Sequence, residues 1–264
     1  MLKEPLTPFA DVNAVLHVLL TGVQAVLGHR FVGMYLFGSL ASGDFAPQRS
    51  DVDFVVVTDG ELDGETLLAL QAMHARITAS GHKWATKLEG PYIPQGALRR
   101  HDPADAHHPA LRVDGSFDVD GHGSDWIIQR HVIREQGIVV AGPAPHTLID
   151  PVTPDDLRQA ALATLREWWS PQLNDHTYLQ SREYQAYATL TMCRALYTLE
   201  RGAVVSKAVA ARWVRETTGE RWAALIERAL AWPHEPQADN LNETLDFVRY
   251  TLERRHDYET CSRI

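Results

Sequence analysis

The chain has 264 residues, a formal net charge of −9 at pH 7 and 45% hydrophobic residues. This length suits one large domain or two modest ones, which bury a core without disulfides or a structural metal. The acidic balance, with no run of basic residues, argues against a nucleic-acid partner. Two cysteines outside any C-x-x-C pair indicate a reducing compartment, and no apolar run approaches the roughly 18 residues of a membrane span. We therefore expect a soluble, cytoplasmic protein.

In chain order, the first third of the sequence alternates helical and extended patterns. Apolar residues at helical spacing predict an amphipathic helix over 10–27. A short apolar strand over 31–37 ends at Gly38-Ser39, and a strand of mainly β-branched residues follows over 52–57. Residues 64–80 again have helical spacing. This alternation predicts a mixed α/β domain.

The next stretch has weaker signals. Residues 83–89 are predicted to be extended and to stop at Gly90-Pro91, because glycine and proline interrupt regular structure. Residues 95–123 are rich in His, Asp, Gly and Pro, so we expect loops there, with one short strand near 111–117. A helix is predicted over 124–136.

A domain boundary is predicted at Asp150-Pro151-Val152-Thr153-Pro154, where Thr153 is suited to cap a helix. The residues after it repeat apolar side chains at helical spacing. The members of these stripes are Leu157, Ala161, Leu165 and Trp168; Ala186, Leu190, Cys193 and Tyr197; Trp222, Leu225, Ile226 and Ala229; and Leu241, Leu245, Val248 and Leu252. We expect an α+β protein, with a mixed sheet and flanking helices over 1–150 and an all-helical bundle over 151–264.

The chemistry is concentrated between Leu36 and Asp53. Strand alternation places Asp51 and Asp53 on one face, about 6–7 Å apart. Two carboxylates held in this way suit divalent cations, and two magnesium ions would stabilise the attacking and leaving oxygens of a phosphoryl group. The Gly38-Ser39 turn follows a strand, where backbone N–H groups and a hydroxyl can bind phosphate. Neither feature is specific alone, but together, between apolar strands, they predict a nucleotide site.

The G-S…S-D-x-D pattern resembles the polymerase-β-like nucleotidyltransferase superfamily. Residues 190–198 and 202–213 resemble the helical domain of the aminoglycoside (3″)(9) adenylyltransferases, which confer resistance to streptomycin and spectinomycin. Gly142-Pro143 and Asp150-Pro151-Val152 resemble the inter-domain stretch of that family. The resemblance covers most of the chain. It implies transfer of AMP from ATP to a hydroxyl of an aminoglycoside or aminocyclitol antibiotic.

The resemblance also implies roles for single residues. Asp51 and Asp53 would bind magnesium, and Glu89, in the segment Lys87-Leu88-Glu89, would be the general base that takes the proton of the acceptor hydroxyl. Glu89 would also lie near enough to share the metal. The positions implied to contact the nucleotide are Gly38, Ser39, Ser50, Asp125, Lys207 and Trp232. A helix-terminal charge at Asp125 and a packing role for Trp232 are the alternatives.

The acceptor side departs from the family. Where the family has an Asp-Glu-Tyr-His-like cluster, this chain has Ser181 to Tyr187, and an ungapped register puts Tyr184 at the key position with Glu183 beside it. Trp169 matches a family tryptophan on the drug-binding side. The nucleotide chemistry is unaffected by these departures, and the identity of the acceptor is open. An acidic protein would favour a cationic acceptor.

Three hypotheses therefore stand beside each other. The first is an aminoglycoside adenylyltransferase, acting as a monomer. The second is a related nucleotidyltransferase with another metabolite or a protein as acceptor. The third is an ATP-binding regulatory module without catalysis, which the intact acids argue against. A zinc site is not expected, because the histidines lack the spacing of zinc ligands; they are His101, His107, His108, His122 and His131.

Overall fold

The computed structural model describes residues 5–232 and 240–261, with side chains described as far as residue 254. The side chain of Cys261 thus lies outside the described residues. The chain divides into two compact units, Met1–Pro151 and Val152–Ile264. The first unit contains a mixed sheet with flanking helices, and the described part of the second is helical. The predicted α+β fold class is confirmed.

The sheet of the first unit has six strands. They are β1 Phe31–Leu36, β2 Val52–Thr58, β3 Leu88–Pro94, β4 His107–Leu111, β5 Phe117–Gly121 and β6 Ile138–Ala141. Their order is β5-β4-β3-β2-β1-β6. β2 and β3 run parallel, and each of the other neighbouring pairs is antiparallel. The nearly continuous apolar composition of β1 and β2 fits strands in the centre of a sheet, buried on both faces.

The helices of this unit are α1 Ala10–Leu27, α2 Gly38–Ala41, α3 Gly64–Thr78, α4 Gln95–Arg99, α5 Asp125–Gln136 and α6 Pro145–Leu148. By length and composition alone, the helix over Ala10–Arg30 could cross a membrane. This differs from the expectation that no apolar run approaches the length of a membrane span. Val12, Val15, Leu16 and Leu19 are nevertheless fully buried in the core of the unit. The packing of a core helix therefore accounts for the apolar character of α1.

Two expectations about residues 83–123 are wrong. The first is the extent of β3, which begins at Leu88 rather than at residue 83 and runs through Gly90-Pro91 instead of stopping there. A Cβ at Gly90 would lie 1.9 Å from the carbonyl oxygen of Phe54, so glycine permits a close approach of β2 and β3. The second error concerns residues 112–116. They form the turn of the β4–β5 hairpin rather than a strand, with Gly115 at φ 82°.

The helices of the second unit are α7 Pro154–Thr164, α8 Arg182–Arg201, α9 Lys207–Thr218, α10 Ala223–Ala231 and α11 Leu241–Cys261. α7 begins as the sequence predicts. The hydroxyl of Thr153 accepts a hydrogen bond from the Asp156 backbone N–H (3.1 Å), and the Asp156 carboxylate accepts one from the Thr153 N–H (2.9 Å). This reciprocal pair satisfies two N–H groups that a helix start leaves without partners.

A π-helical turn over Leu165–Trp169 changes which residues at the end of the first predicted stripe are buried. The extra residue in such a turn shifts the phase of the helix. Trp168 was expected to continue the buried stripe, but its side chain is 41% exposed. Its neighbour Trp169 is 2% exposed and takes the core position instead.

Below the sheet of the first unit, His74 and Tyr92 form a buried polar pair. The distance between His74 Nε2 and the Tyr92 hydroxyl is 2.7 Å, and the rings of Phe54 and Phe117 stack on the His74 ring. Burial lowers the pKa of His74 to about 4 and raises that of Tyr92. The imidazole is therefore neutral in the folded protein at neutral pH.

This burial predicts a loss of stability in acid. Below about pH 6.5 an unfolded His74 binds a proton that the folded protein excludes until about pH 4, so the free energy of unfolding falls across this window, by about 3 kcal/mol in total. In His74→Gln this component should disappear, because glutamine does not titrate. Urea unfolding at pH 7 and pH 4.5 measures the difference. Exposed His17→Gln is the control, and equal acid sensitivity in all three proteins would contradict the assignment.

Candidate active site

The three predicted catalytic acids lie at the start of two parallel strands. Asp51 immediately precedes β2, and Asp53 lies within it. Glu89 is the second residue of β3 and is the register partner of Asp53. The backbone N–H of Phe37 donates to the Asp53 carbonyl (3.1 Å), which attaches the end of β1 to the same point. The parallel pairing of β2 and β3 therefore brings Asp53 and Glu89 together.

The Gly38-Ser39 turn is in direct contact with one of these acids, Asp53. Gly38 has φ 60°, and a Cβ at this position would lie 2.0 Å from Oδ2 of Asp53. Only glycine lets the carboxylate lie against the backbone of the turn. Ser39 follows in the single turn of α2, and its hydroxyl is a buried polar atom without a hydrogen-bond partner among the described residues. A buried hydroxyl of this kind is suited to a ligand that supplies an acceptor.

Ser50 shapes the loop that leads into Asp51. Its hydroxyl accepts a hydrogen bond from the Ala46 N–H (3.0 Å), and its own N–H donates to the Ala46 carbonyl (2.8 Å). The loop is therefore closed directly before the first acid. The hydroxyl of Ser50 still carries a proton that it can donate.

The surroundings of Glu89 disfavour the ionised form of its carboxyl group. Burial, and then the negative charges of Asp51 and Asp120, raise the pKa of Glu89, while Lys87 opposes them. Lys87 Nζ lies 3.1 Å from Oδ1 of Asp51. Asp120, on β5, forms an ion pair with Arg112 (3.1 Å). Sequence reasoning did not single out Asp120, because residues 95–123 were expected to form mainly loops; the alternation of β5 is the signal that could have revealed it.

Asp125 is the first residue of α5, beside the turn that follows β1. Burial raises the pKa of its carboxyl, and the negative charge of Asp120 adds to the effect. The neighbouring Trp126 ring stacks on His122 with 3.6 Å between ring centroids, and its other neighbour, Phe37, is 6.1 Å away. α5 thus begins close to the Gly38-Ser39 turn.

The remaining predicted residues belong to the helical unit. Lys207 is the first residue of α9, and its ammonium lies 4.9 Å from the centre of the Tyr187 ring, a cation–π distance. Glu183 is exposed in the first turn of α8. Trp232 is half-buried at the end of α10.

Two of the predicted acceptor residues come together in a group of rings that we call the aromatic cluster. Its members are Trp168, Trp169, Tyr178, Tyr184 and Tyr187. The Trp168 indole N–H donates to the Tyr184 hydroxyl (3.2 Å). Burial raises the pKa of Tyr184 to about 12. Trp169 is the buried member of the cluster, whereas Trp168, Tyr178 and Tyr187 remain 41–53% exposed.

Within residues 5–232 and 240–254, no three His, Cys, Asp or Glu side chains are gathered as a metal site. The donor set nevertheless fits a divalent cation. Asp51, Asp53 and Glu89 offer hard carboxylate oxygens, and like charge raises the pKa of Glu89. Because Gly38 has no Cβ, the Asp53 carboxylate can occupy the space that a side chain at position 38 would fill. The ammonium of Lys87 forms an ion pair with Asp51 in this arrangement.

Comparisons with known proteins find matches in both units of the chain. The family model for the nucleotidyltransferase domain matches residues 27–88, and that for the aminoglycoside adenylyltransferase C-terminal domain matches 147–254. An aminoglycoside (3″)(9) adenylyltransferase of Escherichia coli is 25% identical over 258 residues, covering 91% of this chain and 94% of that protein. One from Shigella flexneri is 24% identical over 257 residues, with the same coverage.

The fold is similar to that of the spectinomycin adenyltransferase AAD(9) from Enterococcus faecialis, whose crystal structure contains ATP and spectinomycin. The TM-score is 0.71 at 18% identity, covering 91% of this chain and 98% of that one. A sheet that joins a Gly-Ser turn to acids on two parallel strands thus defines a nucleotidyltransferase. The chain thus matches a nucleotidyltransferase domain followed by an aminoglycoside adenylyltransferase C-terminal domain, and over most of its length it is similar to the aminoglycoside (3″)(9) adenylyltransferases. The predicted family and the predicted class of enzyme are confirmed.

The contact between Gly38 and Asp53 yields a direct test. Gly38→Ala should cost about 1–2 kcal/mol of stability through its positive φ, and it should also displace the Asp53 carboxylate. Gly43→Ala is a matched control, because Gly43 has φ 71° and a Cβ there would meet nothing within 4 Å. We expect nucleotidyl transfer to fall at least about tenfold further in Gly38→Ala than in Gly43→Ala. Equal activity in two folded variants would show that this contact is not needed.

Proposed function

We propose that this protein transfers AMP from ATP to a hydroxyl of an aminoglycoside or aminocyclitol antibiotic of the streptomycin or spectinomycin type, in a magnesium-dependent reaction. The observation that carries the proposal is the pairing of Asp53 with Glu89 across β2 and β3, in contact with the Gly38-Ser39 turn. This pairing supports the proposal, because the residues suited to bind a metal, to accept a proton and to contact phosphate then lie near one another. The relatives support the choice of nucleotide and acceptor.

In the proposed reaction, the oxygen of the acceptor hydroxyl attacks the α-phosphorus of ATP. The bond from that phosphorus to the oxygen bridging the α- and β-phosphates breaks, and pyrophosphate leaves. The hydroxyl proton passes to the carboxylate of Glu89 as the new bond forms. Burial and the negative charges of Asp51 and Asp120 raise the pKa of Glu89, and a bound divalent cation would lower it again and favour the ionised form that accepts the proton.

Asp51, Asp53 and Glu89 would hold the magnesium. When bound, the metal neutralises charge on the phosphate oxygens. Ser39 would donate from its buried hydroxyl to a phosphate oxygen, and Ser50 from the closed loop beside it.

The other nucleotide contacts rest on the resemblance. Lys207 would supply positive charge to the phosphates as a flexible point charge. Asp125 would contact the nucleotide from the start of α5, and Trp232 from the end of α10. Both side chains are half-buried, which leaves part of each available to a ligand.

On the acceptor side we assign the exposed rings of the aromatic cluster to one face of the bound sugar or cyclitol. Tyr184 presents a hydroxyl as well as a ring, and Glu183 offers a carboxylate to an ammonium group. Trp169 is buried, so we assign it to the support of Tyr184 and Tyr187 rather than to direct contact. Aromatic faces also attract cations, which suits an aminated acceptor.

The same cluster is the observation that favours a second candidate, a nucleotidyltransferase with another acceptor. Aromatic rings stand where the family carries more acids, and rings bind flat or apolar surfaces as readily as cations. Incubation with ATP, magnesium and a panel of aminoglycosides and aminocyclitols, followed by mass spectrometry, decides between the two. An AMP adduct on a panel member supports the first candidate. ATP turnover only with an added metabolite or protein fraction would support the second.

Glu89 gives the sharpest test of the mechanism. Glu89→Gln retains the shape of the side chain but removes the proton acceptor, so AMP transfer should fall by roughly 10²–10⁴ while ATP binding changes far less. If Glu89 serves mainly as a metal ligand, high magnesium should instead restore part of the lost rate. Rates are measured by product formation across a magnesium series, with exposed Glu61→Gln as the control. A Glu89→Gln protein with unimpaired turnover would remove this residue from the mechanism.

A further inference from the structure

Lys87 forms an ion pair with one candidate metal ligand, Asp51, and stands close in sequence to another, Glu89. It ends a short 3-10 turn over Ala85–Lys87 and stands two residues before Glu89. Its Nζ lies 3.1 Å from Oδ1 of Asp51, and the side chains of the pair are 45% and 30% exposed. The family resemblance assigned Lys87 no role.

The backbone of Lys87 is anchored in the core, whereas its ammonium group is partly exposed. Trp84 is 4% exposed and its ring lies 5.2 Å from that of Phe45, so the turn is anchored in the core. The Lys87 N–H donates to the Trp84 carbonyl (3.0 Å). The ammonium, on four rotatable carbons and nearly half exposed, can leave Asp51 without disturbing this anchor.

The ammonium also has an electrostatic function. Asp51 and Asp120 both act on Glu89 with negative charge, and the charge of Lys87 opposes them. Asp120 has its own counter-charge in Arg112. Lys87 therefore offsets negative charge at Asp51 and near Glu89. A divalent cation bound by the same carboxylates would offset that charge too.

We propose that Lys87 is an internal counter-cation, which occupies Asp51 in the metal-free protein and is displaced when a divalent cation binds. The inference rests on the proposed role of Asp51 as a metal ligand. Ammonium and metal then compete for one carboxylate. The competition is mild, because a partly exposed ion pair contributes little. Lys87 would thus set a lower metal affinity and keep the acids compatible with folding before the metal arrives.

The test measures binding of Mn²⁺ alone to the full chain, by titration calorimetry or by the electron paramagnetic resonance signal of free Mn²⁺. Lys87→Met should bind Mn²⁺ about two- to fivefold more tightly than the wild type. Lys87→Arg retains the charge and should stay near the wild-type affinity. Lys83→Met is the matched control, because Lys83 is a nearby exposed lysine that pairs with Asp11 (3.4 Å) instead.

A double variant makes the competition specific. In an Asp51→Asn background, Lys87→Met should no longer change Mn²⁺ affinity, because the shared carboxylate is gone. Unchanged or weaker binding in Lys87→Met alone would overturn the inference and leave the proposed function standing. Absence of Mn²⁺ binding in both wild type and Lys87→Met would overturn the inference and the metal assignment together. Tighter binding without AMP transfer to any acceptor would support the inference and count against the proposed function.

Discussion

The site depends on one close contact, in which the Asp53 carboxylate lies where a side chain at position 38 would begin. Two pieces of backbone that are distant along the chain are thereby fixed to each other. The contact determines which residue type can occupy the turn, since only glycine combines a positive φ with an absent Cβ at no cost. It also determines where Ser39 lies relative to the acids. The neighbouring parallel register then adds Glu89 to the same edge.

The second constraint is the accumulation of negative charge. Asp51, Glu89, Asp120 and Asp125 influence one another in a partly buried setting, and the pKa values of Glu89 and Asp125 are raised as a result of burial and like charge. Such a cluster opposes folding unless positive charge accompanies it. Lys87 and Arg112 supply some of that charge from within the chain. In a site that binds cations for its chemistry, we expect the chain to supply less positive charge than would balance its carboxylates.

The parts of the fold that follow from local periodicity could be predicted from the sequence. α1 spans the predicted residues, and α7 begins at the predicted Thr153 cap. β6 was missed because four residues between a helix and a glycine carry too little periodicity. β3 was ended too early because Gly90-Pro91 usually marks a break, and only the closeness of Phe54 shows why a strand tolerates the pair here. These failures share one cause, since partners across a sheet are not neighbours in sequence.

The site was predictable to the extent that it is a linear motif. Asp51, Asp53 and the Gly-Ser turn stand within one short segment, and Glu89 was placed by resemblance. Asp120 lies in a hairpin whose pairing with β3 is non-local, so sequence reasoning did not single it out. The charge of Lys87 was visible in the sequence, but its attachment to Asp51 depends on the distance between two elements. The magnesium requirement, the monomeric state, the cytoplasmic location and the roles of the individual residues stay predictions.

The π-helical turn at Leu165–Trp169 separates the environments of two adjacent tryptophans. In a regular α-helix that continued the Leu157–Ala161–Leu165 stripe, the ring of Trp168 would face the core. Here Trp169 fills the interior and Trp168 is left at the surface, bonded to Tyr184. Evolution can therefore change the outer ring without opening a cavity beneath it. The helical unit therefore has a surface that can diversify while its interior stays constant.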